Sequence, residues 1–78
     1  MPPLPRVSGK QVVRALKRLG FETFNQSGSH VYLHRWDGTR WSLRVTVPVH
    51  GNKILKLGTL KSILKQAAVS VDEFTSNL

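Results

Sequence analysis

The first third of the chain repeats apolar residues at helical spacing, with cations on the opposite side. The apolar positions are Val12, Val13, Leu16 and Leu19. Ser8 and Gln11 have the spacing of a capping box, in which each side chain accepts a hydrogen bond from the other residue's backbone N–H. Gly20 provides the usual stop signal. The pattern predicts a helix over residues 9–19 with one apolar stripe and one basic face.

Three segments rich in β-branched and aromatic residues follow, and they predict strands. They span residues 21–26, 31–36 and 41–47. The small residues at 27–29 predict a turn after the first strand, and Asp37-Gly38 predicts a tight loop after the second. Pro48 ends the third strand, because proline has no N–H for a strand ladder.

The length of the second hairpin loop decides which side chains share a face of the sheet. A two-residue turn at 37–38 or at 38–39 mixes apolar and polar side chains, whereas a three-residue loop with Gly38 in the left-handed position separates them. The three-residue loop predicts a core face of Val31, Leu33, Leu43, Val45 and Val47. The opposite, open face then carries His30, Tyr32, His34, Ser42, Arg44 and Thr46. A slip of one residue would exchange the two faces.

The last third of the chain predicts a basic connection and two further helices. Residues 49–58 form the connection, and Thr59 is the predicted cap of a helix. The apolar stripe of that helix is Leu60, Ile63, Leu64 and Ala67. Ser70 and Glu73 repeat the capping-box spacing, so we expect a short terminal helix anchored by Phe74.

The order helix, three strands, helix, short helix predicts an α+β fold: a three-stranded antiparallel sheet with helices on one face. Double-stranded-RNA-binding domains have the same layout, although layout alone does not determine function. We expect a single domain over residues 1–78. Residues 1–6 include three prolines, and we expect them to be flexible.

Charge is the strongest compositional signal. Twelve Lys and Arg residues against four acids give a net charge of +8 and a pI of about 11.0. Such a domain attracts polyanions, so the favoured partners are nucleic acid, an acidic protein, or both. The absence of cysteine excludes disulfides and thiolate metal sites. No apolar run has the length of a membrane span or a signal-peptide core, so we expect a cytoplasmic protein without a membrane partner.

His30 stands where the Gly28-Ser29 turn passes into the second strand. Loops held by a rigid scaffold often carry binding and catalytic groups, and imidazole is the side chain that ordinarily titrates near neutrality. A lone histidine beside a turn is more often a solvated polar residue. The position alone therefore leaves both interpretations open.

Four segments together resemble the HicA toxin family over residues 7–74. They are Gly20-Phe21, Gly28-Ser29-His30, Val47-Pro48-Val49-His50-Gly51, and the stretch from Lys56 to Ala67. The resemblance implies a small endoribonuclease with a double-stranded-RNA-binding-domain-like fold, which cleaves messenger RNA and is neutralised by a HicB-like antitoxin. It also implies that His30 is the essential histidine. Many relatives have a polar or basic residue next in the chain, where this chain has Val31, so the resemblance does not identify a catalytic helper.

RNA can be cut without a metal ion when a base removes the proton of a ribose 2′-OH and that oxygen attacks the neighbouring phosphorus. Histidine suits such proton transfers, which typically contribute about 10²–10⁴-fold, and nearby cations stabilise the developing charge. We assign His30 as the general acid or the general base. We expect no cofactor and no metal site, because no carboxylate or thiolate accompanies the three histidines.

Further candidates lie on the open face and in the basic connection. The predicted RNA contacts are Gly28, Ser29, Tyr32, Arg44, His50, Lys53, Lys56, Lys61 and Lys65. Most have a simpler alternative: the glycine and serine form only a turn, the tyrosine packs on the sheet, and the lysines form a solvated face. His50 lies where neighbouring strand ends meet, so a direct role in catalysis beside His30 also stays open. His34 lies about 13 Å along the strand from His30, which favours a surface or RNA-contact role. Trp36 and Trp41 flank the hairpin loop, where they pack on each other, cover the edge of the core, or stack on RNA bases.

Three functions remain compatible with these observations. The first is a ribonuclease toxin that uses His30. The second is a non-catalytic RNA-binding module on the same scaffold, and the third is a basic surface that serves mainly a protein partner. Cleavage of RNA in excess EDTA separates the first from the second.

Overall fold

The computed structural model describes residues 3–78, so the first two residues of the predicted flexible segment lie outside the described part. The elements are α1 (Gly9–Arg18), β1 (Phe21–Ser27), β2 (His30–Trp36), β3 (Trp41–Pro48), α2 (Leu57–Ala67) and α3 (Val71–Ser76). The strands form one antiparallel sheet in the order β1-β2-β3. The predicted α+β fold is confirmed.

Both predicted capping boxes form. The Gln11 N–H donates to Ser8 Oγ at 3.3 Å, and the Ser8 N–H donates to Gln11 Oε1 at 2.8 Å. The Glu73 N–H donates to Ser70 Oγ at 3.1 Å, and the Ser70 N–H donates to Glu73 Oε1 at 3.2 Å. Each box satisfies N–H groups that a helix start leaves without a partner, so α1 and α3 begin where the sequence predicts.

The core lies between the sheet and the two longer helices. From the sheet it takes Val31, Leu33, Val45 and Val47, and from the helices mainly Val12, Ala15, Leu16, Leu60, Ile63, Leu64 and Ala67. Phe74 is fully buried and anchors α3 as predicted, and Leu4 packs against the core from the N-terminal segment. The core lies on one side of the sheet, and no helix within residues 3–78 lies over the opposite face. This uncovered face carries His30, Tyr32 and His34.

The prediction that Leu43 faces the core is wrong, because its side chain is 38% exposed. Trp36 pairs with Trp41, so the hairpin loop has four residues rather than the predicted three. The register then shifts beyond Leu33, and Leu43 adopts φ +53, as in a β-bulge. A four-residue loop alone would turn Val45 away from the core. The bulge shifts the alternation of inward and outward side chains by one residue, so Val45 still faces inward.

The prediction that Thr59 caps the second helix is also wrong. Lys56 is the N-cap of α2 and makes no side-chain capping bond, and Thr59 lies within the first turn. The Lys56 carbonyl accepts from the Leu60 N–H at 3.0 Å. Because no short polar side chain marks this start, the sequence carries no signal for it.

Candidate active site and nucleic-acid interface

His30 is the first residue of the central strand, and its side chain is exposed. The tight turn before it consists of Gly28 and Ser29, with φ +57 at Gly28. His30 pairs with Ser27 on one side and with Pro48 on the other. The imidazole therefore lies at the end of the uncovered face, where a large substrate can reach it.

The residue that follows His30 points the other way. Val31 is buried at 8% exposure and belongs to the core, as strand alternation requires. A second group for proton transfer is therefore not provided by the next residue of the chain.

The basic connection reaches the His30 end of the sheet through His50. The Val49 N–H donates to the Ser29 carbonyl at 2.6 Å, which carries the β2–β3 pairing one residue beyond His30 and Pro48. His50 thus leaves the sheet alongside the Gly28-Ser29 turn.

An open pocket of about 240 Å³ lies beside this junction. It is lined by Pro48, His50, Lys53, Ile54, Leu55, Lys56 and Thr59. The structure thus brings together three of the predicted RNA contacts, one histidine and two lysines. Pro48 connects them to the catalytic candidate, because it also pairs with His30.

The N-terminal segment holds this basic connection in place. The Leu55 N–H donates to the Val7 carbonyl at 2.8 Å, and Ser8 forms a β-bridge with Ile54. Gly9 lies so close to the carbonyl oxygen of Pro48 that a Cβ atom would overlap it. The sequence shows Gly9 only as the start of a helix, so its role in positioning the end of β3 is a finding of the structure.

The other two predicted lysines lie apart from this pocket. Lys61 and Lys65 are exposed on α2 and line a separate depression of about 370 Å³, together with Asp72. The four lysines therefore form two pairs, and only Lys53 and Lys56 lie beside the His30 end of the sheet.

The remaining predicted contacts, Tyr32 and Arg44, lie beside a ring that sequence reasoning missed. The Arg44 guanidinium carbon is 4.9 Å from the centroid of the Phe24 ring, and the Tyr32 centroid is 6.3 Å from it. A register shift between Thr23 and Asn25 places Phe24 in a bulge, which breaks the alternation that could have identified its face. Tyr32 is half-buried, so it also packs on the sheet surface.

His34 is enclosed by aromatic rings. The centroid of its imidazole ring is 4.3 Å from that of Phe24 and 4.0 Å from that of Trp41. The planes of the His34 and Trp41 rings differ by 11°, so the two rings are stacked. Trp36 meets Trp41 edge-on at 5.3 Å, which confirms that the two tryptophans pack on each other. His34 is therefore part of an aromatic stack rather than a freely solvated side chain.

Asp37 organises the loop between β2 and β3. The backbone N–H groups of Arg40 and Thr39, and the Thr39 hydroxyl, each donate to Asp37 Oδ1 at 2.9 Å. These hydrogen bonds favour the ionised form and lower the pKa of the Asp37 carboxyl. A single carboxylate therefore organises this loop through three hydrogen bonds.

Two wider observations apply to residues 3–78. Within this range, no three His, Cys, Asp or Glu side chains converge in a way that could hold a metal ion. None of the helices in the same range combines the length and apolarity needed to cross a membrane.

The fold and the site together define the class of protein. It is a small, strongly basic α+β domain with an exposed histidine at the point where a turn leads into the central strand. A family model described as the HicA toxin of bacterial toxin–antitoxin systems matches residues 9–69, which include α1, the whole sheet and α2. The chain therefore belongs to the HicA toxin family. Because the family's toxins act in toxin–antitoxin systems, the kind of partner that the family implies is an antitoxin. No curated protein gives a significant match.

Proposed function

We propose that this toxin is a metal-independent endoribonuclease that cleaves messenger RNA in the cytoplasm. The observation that carries the proposal is His30, exposed at the end of the uncovered sheet face in a chain of the HicA family. The net charge of +8 supports a polyanionic substrate.

In the proposed reaction a base takes the proton of a ribose 2′-OH, and the 2′ oxygen attacks the adjacent phosphorus. The bond from phosphorus to the 5′ oxygen breaks, and an acid returns a proton to that leaving oxygen. The products are a 2′,3′-cyclic phosphate and a free 5′-OH. His30 performs one of the two proton transfers, and the cations nearby stabilise the charge on the phosphorus oxygens.

The RNA backbone follows the cations around this end of the sheet. Lys53, Lys56 and His50 line the same pocket as Pro48, the cross-strand partner of His30. Gly28 and Ser29 provide backbone groups next to the histidine, and Tyr32 and Arg44 extend the path over the open face. Lys61 and Lys65 form a more distant contact on α2.

A HicB-like antitoxin neutralises the enzyme by covering the same surface. The basic pocket and the exposed imidazole favour a partner that presents carboxylates, because such a partner replaces the phosphates of RNA. RNA and antitoxin then compete for binding, and an excess of antitoxin stops cleavage.

The direct test is incubation of the purified protein with RNA in excess EDTA. We expect cleavage by the wild-type protein and loss of cleavage in His30→Ala, while both proteins bind RNA. Growth arrest on expression, relieved by the antitoxin, is the matching observation in cells.

One observation favours a second candidate function, a non-catalytic RNA-binding module. The side chain after His30 is buried, so the chain offers no second proton-transfer group there. If the wild-type protein and His30→Ala both bind RNA and neither cuts it, the module is the correct function.

A further inference from the structure

A continuous set of rings and one cation crosses the uncovered face of the sheet. We call it the aromatic stack, and its members in spatial order are Arg44, Phe24, His34, Trp41 and Trp36. All three strands contribute to it. Because successive members are in contact, the rings support one another and form a rigid surface.

Three rings of the stack remain open to solvent. Trp36 is 49% exposed, Trp41 43% and Phe24 37%. Trp41 packs on both Trp36 and His34, and neither tryptophan belongs to the core. Exposed aromatic groups that cluster in this way on a small soluble domain indicate an interaction surface.

We infer that the aromatic stack binds unpaired bases of single-stranded RNA. Every base has a π-face that stacks on an exposed aromatic ring, and surfaces for single strands combine such rings with cations along the backbone. Here Arg44 lies over Phe24 at one end of the stack, and the chain carries a net charge of +8. The inference rests on the proposed function and adds that the bound segment of RNA is single-stranded.

The charges around the aromatic stack also indicate the path of the RNA strand. Glu22 pairs with His34, so a carboxylate lies on the β1 side of the open face. Asp37 at the hairpin is engaged with Thr39 and Arg40. Phosphates are therefore expected on the β3 side, near Arg44, with the bases turned onto the rings.

The stack discriminates between single strands and duplexes. In a duplex the bases are stacked on one another and cannot lie against protein rings, whereas unpaired bases can be splayed out onto aromatic side chains. His34 is four strand positions from His30, or about 13 Å, so one RNA strand can occupy both regions. The stack would thus hold an unpaired segment next to the histidine.

The only two tryptophans of the chain, Trp36 and Trp41, belong to the stack, so intrinsic fluorescence reports on it directly. The full chain is titrated with a single-stranded 2′-O-methyl RNA, which lacks the attacking hydroxyl and cannot be cut by the proposed reaction. A duplex of the same length and inorganic polyphosphate are the comparison ligands. We expect saturable quenching by the single strand and little change with the duplex or with polyphosphate.

Variants then test the contact itself. We expect Trp41→Ala to weaken single-strand binding roughly 5- to 150-fold, the range for loss of one stacked base, and Trp41→Phe to retain most of the affinity. Leu78→Ala is the matched control, because Leu78 is 44% exposed but lies outside the stack, and it should bind as the wild type does. Trp36→Ala is a second variant, with thermal melting as the check that each protein is folded.

Equal quenching by single strand and duplex would overturn the inference. Wild-type RNA affinity in Trp41→Ala and Trp36→Ala, with loss of antitoxin binding, would overturn it in favour of a protein contact. Cleavage is scored separately on unmodified RNA. Normal cleavage without single-strand preference refutes the inference alone, whereas selective quenching without cleavage supports it and refutes the catalytic proposal.

Discussion

At the scale of single residues, the site depends on the alternation between His30 and Val31. One side chain is exposed at the end of the open face, and the next is buried in the core. The position of the imidazole is therefore set by the burial of its neighbour, because a slip of one residue would exchange the two. The turn before His30 fixes where this alternation starts.

The turn should tolerate Asn better than Ala at position 28. Gly28 has φ +57, and a Cβ atom added to it would have no neighbour within 4 Å, so backbone conformation rather than crowding is the constraint. We expect Gly28→Ala to lower the free energy of unfolding by about 1–2 kcal/mol, and Gly28→Asn by less. Chemical denaturation measures both, and equal stability of the two variants would contradict this explanation.

The hairpin loop should weaken in acid. The hydrogen bonds to Asp37 lower its pKa, so the stabilisation is present above the ordinary aspartate pKa and is lost as the pH falls through the lowered value. NMR titration of the carboxyl should place its midpoint below the ordinary value. Thr39→Ala removes only the hydroxyl donor and should move the midpoint upward, whereas a midpoint that stays unchanged would show that this hydrogen bond has no effect.

At the scale of elements, local signals predicted the starts of α1 and α3, and they failed at the start of α2 and where the strand backbone is irregular. The boxes at Ser8 and Ser70 are short-range interactions, so spacing alone identifies them. Leu43 and Phe24 lie at β-bulges, which shift the side-chain alternation by amounts that depend on the partner strand. Sequence reasoning therefore predicted the exposed position of His30 but missed Phe24 and with it the full aromatic stack.

The junction between α1 and β3 is the contact most sensitive to an added methyl group. A Cβ on Gly9 would overlap the Pro48 carbonyl and lie 3.0 Å from Val49 Cγ2, so Gly9→Ala must displace the end of β3. We expect a loss of about 1–3 kcal/mol in the free energy of unfolding. Cleavage should also fall, because Pro48 pairs with His30.

Gly58→Ala is the control for this change. Gly58 lies in the first turn of α2, and a Cβ atom added to it would have no neighbour within 4 Å, so an alanine there should be neutral or should stabilise the protein by up to about 1 kcal/mol. A comparable loss of stability in both variants would indicate that the close approach at Gly9 is not the cause.

At the scale of the whole molecule, three regions of the fold carry different features. The helices and one sheet face form the core, the other face carries the aromatic stack, and the His30 end joins the sheet to the basic pocket. The charge of +8 is visible in the composition, but the separation of Lys53 and Lys56 from Lys61 and Lys65 is visible only in the fold. Charge predicts a polyanionic partner, and the fold shows which of these lysines lie together.

The salt dependence of RNA binding should separate cations that contact phosphate from those that do not. Each phosphate neutralised on a single strand contributes about 0.7 to the slope of log affinity against log salt. We expect Lys53→Ala and Lys56→Ala each to reduce the slope by about that amount. Arg14→Ala on the exposed face of α1 is the control and should leave the slope unchanged. An equal reduction in all three would indicate a diffuse field rather than localised contacts.

The central claim is that His30 transfers a proton during RNA cleavage. The most direct measurement is the single-turnover cleavage rate at saturating protein in excess EDTA, followed across the pH range in which histidine side chains titrate. We predict a rate that is about 10²–10⁴-fold lower in His30→Ala, with RNA binding retained and the pH-dependent limb lost. An unchanged rate and pH profile in His30→Ala would contradict the claim.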